Sequence, residues 1–151
     1  MKILEIDGKD YKLEYTIEAS LYEDCTERVT TLMFDVSDAE GENGIKNVIS
    51  AMTNIPQTSL TMFYAGLLEH HGECGDRTVL SKNDAKTLLR KYFDEHKEDE
   101  TGNFYGMMEL LLTQMGEDGF FKQIGLEQMT RPQKPVKKPQ DHKAKTKATK
   151  E

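Results

Sequence analysis

Hydrophobic and polar positions change period several times along the chain, and each change marks an element. Residues 2–15 alternate in the strand manner. Ile3 and Ile6, then Tyr11, Leu13 and Tyr15, flank the turn residues Asp7-Gly8-Lys9-Asp10. Asp-Gly between two short β-prone runs predicts a hairpin. From Thr16 the spacing lengthens. Ile17, Leu21, Cys25, Val29 and Leu32 recur every three or four residues and predict an amphipathic helix of about four turns, with Thr16 as its cap.

The acidic stretch Asp35–Gly44 breaks this periodicity and reads as a loop. With Gly41 as the invariant glycine of a calcium-binding loop, Val36 would hold the first ligand position and Asn47 the twelfth, so the pattern fails. Ile45, Val48, Ile49 and Met52 then predict a short helix that stops before Pro56, because proline disfavours helix at the residue preceding it. A longer helix follows, with Leu60, Phe63, Tyr64, Leu67, Leu68 and His71 on one face. Gly72 ends it as a C-terminal glycine able to adopt positive φ.

The segment 80–97 carries Ser81 as N-cap and Asp84 three residues on, with Leu80 and Ala85 at the staple positions. Its apolar face is Ala85, Leu88, Leu89, Tyr92 and Phe93. Gly102 opens a last helix with Phe104, Met108, Leu111, Leu112 and Met115 on one side. A turn at Gly116–Gly119 and the short apolar piece Phe120, Phe121, Ile124 and Leu126 complete it. The fold class predicted is mainly α (α+β): an N-terminal β-hairpin and about five helices in one small domain, residues 1–130. Beyond Arg131 the apolar pattern ends. Three of the four prolines lie there among Lys, Gln and Thr, a composition that predicts a disordered basic tail over 131–151.

Charge sharpens this division. The chain of 151 residues carries a formal −7. Residues 131–151 hold eight Lys/Arg against two Asp/Glu, a net +6, which leaves −13 on residues 1–130. So acidic a body is a poor match for nucleic acid, whose phosphates need positive surface. No apolar run approaches the length of a membrane span. Two cysteines 49 residues apart form no disulfide framework and fit a reducing cytoplasm.

Candidate chemistry centres on "LEHHGECGD", which holds His70, His71 and Cys74. Zinc needs about four converging ligands. Adjacent helical histidines point about 100° apart, and only Cys25, His96 and His142 remain to complete a set. A helix C-terminus, where histidines meet the negative dipole end, explains the stretch without metal. The acidic loop would raise the Cys74 thiol pKa rather than activate it as a nucleophile. There is no G-x-S-x-G and no phosphate-binding glycine pattern. No catalytic, cofactor or metal site is expected. The remaining candidates are Met107, Met108, Leu111, Met115, Phe120 and Phe121. Met and Phe at helical spacing are first of all core, but such a flexible face also serves as an adaptable partner surface.

The order of these motifs resembles the small tail assembly chaperones of long-tailed phages and prophages of Gram-positive bacteria. The resemblance is carried by Gly8-Lys9-x-Tyr11-x-Leu13, by "FYAGLLEHHG" followed by the capped "LSKNDA" helix, and by "DGFFKQIGLE", and it spans roughly residues 1–127. It implies a non-enzymatic protein that binds the tape-measure protein, keeps it soluble and assists polymerisation of the tail-tube protein. It also implies action in the host cytoplasm and absence from the mature virion. The pattern is compatible with self-association. The alternative allowed by the charge asymmetry is a small regulatory or nucleic-acid-associated protein acting through its basic tail.

Overall fold

The computed structural model describes residues 1–37 and 44–130. Most of the described residues are helical, with one two-stranded antiparallel hairpin and seven helices among them. Strands β1 (Lys2–Ile6) and β2 (Lys9–Leu13) pair in the register Lys2–Leu13 to Ile6–Lys9. Their loop is the two residues Asp7 and Gly8, both at positive φ (53° and 76°). That is the primed turn whose twist matches the strands, one residue pair tighter than the four-residue turn expected. Leu4, Ile6, Leu13 and Tyr15 point inward, while Ile3 faces solvent.

The helix expected from Thr16 to Leu32 is two helices, α1 (Ile17–Leu21) and α2 (Glu23–Ser37). Tyr22 between them is extended (φ −80°, ψ 97°), which resets the helical phase. Cys25, Val29 and Leu32 are buried as the spacing predicts. Ile17 and Leu21 are exposed instead, and Ala19 is the inward residue of α1. Thr16 occupies the cap position without capping; its hydroxyl donates to Glu69 Oε2 at 2.9 Å. Helix α2 runs on through Asp35–Ser37, so the acidic loop begins later than expected. The remainder of that stretch, residues 38–43, lies outside the described residues, as does the basic tail 131–151.

The largest departure is α3 (Gly44–His71), one helix of 28 residues with Pro56 inside it. At 1.5 Å per residue it is about 42 Å long. Proline costs this helix one backbone hydrogen bond, to the carbonyl of Met52. Both Met52 and Pro56 are exposed, so the lost bond falls on the solvent side of the helix rather than in the core. Helix α2 packs against α3, with Asn54 and Thr58 on either side of the proline facing Asp24, Arg28 and Leu32 of α2 across a shared cleft. Helix α3 is also the hub for α1, α4 (Lys82–Glu95), α5 (Phe104–Glu117) and β2.

Where β2 crosses α3, the backbones nearly touch. Glu14 donates its N–H to the Gly66 carbonyl at 2.9 Å. Tyr15 goes deeper: its hydroxyl donates to the Met62 carbonyl at 2.7 Å, and its ring meets Phe120 edge-on at 5.7 Å. Burial pushes the Tyr15 phenol well above its usual pKa, so it stays a neutral donor. At the far end of the hairpin, the Asp7 N–H donates to Glu95 Oε1 at 2.7 Å, tying the turn to α4.

The caps of α4 and α5 explain where those helices begin. Ser81 Oγ accepts from the Asp84 N–H at 3.1 Å, as expected, but the Asp84 carboxylate returns to Leu80 rather than to Ser81 itself, at 3.0 Å. Asn103 caps α5, accepting from the Gly106 N–H at 2.9 Å. Gly119, at φ 76°, then turns the chain into α6 (Phe120–Gln123) and α7 (Leu126–Thr130).

Candidate partner groove

The residues proposed for a partner face, four on α5 and two on α6, lie largely inside the protein. Met107, Met108, Leu111, Met115 and Phe120 are buried in the core, and Phe121 is half-buried against it. The structure therefore corrects the partner-surface reading of these six positions in favour of the core reading. The reason is that α5 packs on α3 with the methionine face, while Phe120 of α6 is covered by the Tyr15 ring.

The histidine and cysteine stretch is structural in its contacts. His71 is buried under the hairpin, with the Tyr11 ring 5.2 Å away. Its Nε2 accepts the Lys12 N–H at 2.9 Å, so the proton must be on Nδ1, which faces Asp76 Oδ2 at 3.0 Å. The Asp76 carboxyl is held below its usual pKa by the Thr78 hydroxyl, then by the Thr78 N–H and His71. His70 turns the other way and meets Glu14 Oε1 at 2.8 Å. Among the described residues no group of three His, Cys, Asp or Glu side chains is placed to hold a metal ion. Helix α3 ends with its carbonyls occupied by the following loop: Leu68 by the Gly72 N–H, His70 by Asp76 and His71 by Val79. Gly72 does not adopt positive φ; the left-handed residue of this loop is Arg77, at φ 63°.

The two thiols differ in exposure but not in tendency. Cys25 is buried and pushed up to about 12 by that burial. Cys74 is exposed, and the Glu18 carboxylate, 3.8 Å from its sulfur, raises it too. A raised pKa means less thiolate at any given pH. Alkylation at pH 7.5 should therefore be slower at Cys74 than at a free thiol and should accelerate as pH rises. Glu18→Gln should speed it. Cys25 should react only on denaturation. Rapid modification of Cys74, unaffected by the Glu18 change, would contradict this.

The exposed apolar surface lies elsewhere. On α3, Ile49 (57% exposed), Met52 (63%) and Pro56 follow at steps of three and four and lead to Leu60. This strip runs into a groove of about 370 Å³ between α3, α4 and the start of α5. Leu60, Leu89 and Phe93 form its floor. Phe104, 38% exposed, closes the end by meeting Phe93 edge-on at 5.0 Å and 90°. Lys86 and Arg90 stand on the rim one α4 turn apart, followed by Asp94. Neither cation is within ion-pair distance of a carboxylate among the described residues.

Sequence reasoning missed this groove for two reasons. A helix break at Pro56 separates Met52 from Leu60, and the spacing of Phe93 and Phe104 places each on a helix face without saying which neighbour covers it. The signal present in the sequence was the stripe 49–52–56–60, which keeps helical spacing straight through the proline. No family model, curated protein or solved structure matches the chain. No helix among the described residues is long and apolar enough to cross a membrane.

Proposed function

We propose that this protein is a non-enzymatic tail assembly chaperone of a long-tailed phage or prophage. In this reading it binds the tape-measure protein, keeps it soluble and assists assembly of the tail tube around it. The observation that carries the reading is the exposed apolar strip on α3 that opens into the α3–α4 groove, on a helical body of net charge −13. The order of sequence motifs adds to it. A tape measure is a long, helix-rich chain that aggregates through its apolar stripes. A groove with an apolar floor accepts such a stripe in the helix-in-groove manner, while the acidic remainder keeps the complex dispersed by charge. The protein then acts in the host cytoplasm and leaves before the virion is finished.

Co-expression tests this. The product of the long helical reading frame expected directly downstream should move from the insoluble to the soluble fraction when this protein is present, and the two should co-purify. An equally insoluble product, with no co-purification, removes the reading.

A further inference from the structure

We infer that the α3–α4 groove selects an amphipathic helix whose apolar face is flanked by carboxylates. The inference deepens the chaperone reading and rests on it. The floor of Leu60, Leu89 and Phe93 can bury one apolar helical stripe, and the exposed Phe104 ring closes its end. The rim supplies the specificity. In a body of net −13, Lys86 and Arg90 are placed one turn apart over an apolar floor. Asp94, one turn further along the same rim, is beyond ion-pair distance of Arg90, as are the other carboxylates among the described residues of both cations. Each is on an exposed α4 position, so its charge contributes nothing evident to the core. An incoming helix with Glu or Asp beside its apolar stripe pairs with both cations as the floor is covered and water is excluded. A lysine-flanked helix meets like charge at the same points.

Charge also argues against occupants from this chain. The 131–151 segment carries net +6 and would meet the basic rim with the same sign. A second copy offers no acid-flanked apolar helix among the described residues: its exposed α3 strip, Ile49, Met52 and Pro56, has no carboxylate beside it, the first acid of that helix being Glu69. Helix α1 exposes Ile17 and Leu21 beside Glu18 but is only five residues long. The acidic face of α2 already has Cys25, Val29 and Leu32 buried beneath it.

The test uses the full chain and two labelled synthetic peptides of about twenty residues, long enough for about 30 Å of helix. Both carry the same Leu/Ala apolar face; one has Glu on the flanks and the other Lys. Fluorescence anisotropy should show the Glu peptide binding about tenfold more tightly, with the advantage shrinking as salt is raised. In the double variant Lys86→Glu/Arg90→Glu the order should reverse, with circular dichroism unchanged because both positions are exposed. The body's overall charge by itself predicts the opposite, tighter binding of the Lys peptide. That result overturns the inference, as does no binding of either peptide, insensitivity of the Glu peptide to the double variant, or sedimentation showing a second copy over the groove. Co-expression separates the two levels. A client kept soluble by a protein that ignores both peptides overturns the groove assignment alone. Peptide selection without client solubility overturns the chaperone reading alone.

Discussion

Replacing Asp118 by Ala should lower the stability of this protein by about 3 kcal/mol, the cost of leaving two buried donors without acceptors. Asp118 follows α5, and its side chain is 9% exposed. Oδ2 accepts the N–H of Tyr15 at 2.9 Å, and Oδ1 accepts Gln114 Nε2 at 2.9 Å and faces the Met1 ammonium at 3.0 Å. Tyr15 and Gln114 are both buried, so water cannot readily replace the carboxylate. One residue thus joins the hairpin's exit to the end of α5, across 103 positions of sequence. Chemical denaturation should show the midpoint falling at unchanged slope, and the thermal midpoint dropping by roughly 10 °C for a domain of this size. Asp118→Asn keeps one carbonyl acceptor and should recover about half of the loss. Equal stability of Asp118→Ala and the parent would show that the clamp contributes nothing net.

Gly66→Val should be of similar size and should act on one contact. A Cβ at Gly66 would lie 3.0 Å from Leu13 Cδ2 and from Tyr15 Cζ, and 3.1 Å from the Tyr15 hydroxyl. Neither neighbour has room to retreat. Leu13 is fully buried, and Tyr15 is pinned by its hydrogen bond to the Met62 carbonyl. Overpacking of this kind costs about 1–3 kcal/mol, and the β-branched side chain falls at the severe end. Gly66→Ala is the informative control. Alanine gains about 1 kcal/mol of helix propensity over glycine, which offsets most of the strain from a single methyl. The expected pair is therefore a near-neutral Ala and a strongly destabilised Val. Hydrogen exchange should show early loss of protection at the Glu14 amide, which donates to the Gly66 carbonyl. A Val variant as stable as the Ala variant would mean the hairpin docks less tightly on α3 than these distances require.

Neither position stands out in the sequence, and this separates what is local from what is not. The Asp7-Gly8 turn, the Ser81 cap and the buried phase of Cys25, Val29 and Leu32 are legible because each depends on residues within about one turn of itself. Glycine at positive φ, a hydroxyl reaching its third amide and a three-to-four apolar step are properties of short chain segments. Local preference gives way where a distant element outweighs it. Pro56 ends a helix by propensity, but α2 packed against α3 and the exposed position of Met52 and Pro56 make one lost hydrogen bond tolerable. Ile17 and Leu21 have core spacing, but the extended backbone at Tyr22 turns their face to solvent.

The candidate site divides in the same way. That Met107, Met108, Leu111 and Met115 share one helical face is written in their spacing; that the face is covered depends on α3 lying against it. The histidines at 70 and 71 were readable as pointing apart, because adjacent helical residues must do so. That His71 would accept the Lys12 N–H while His70 met Glu14 required the hairpin to be placed. Sequence by itself determined the element types, the acidic body and the basic tail, since these follow from period, caps and charge. Tertiary structure alone decided which apolar stripes are core and which remain open as the α3–α4 groove, because burial belongs to the pairing of surfaces and not to either surface alone.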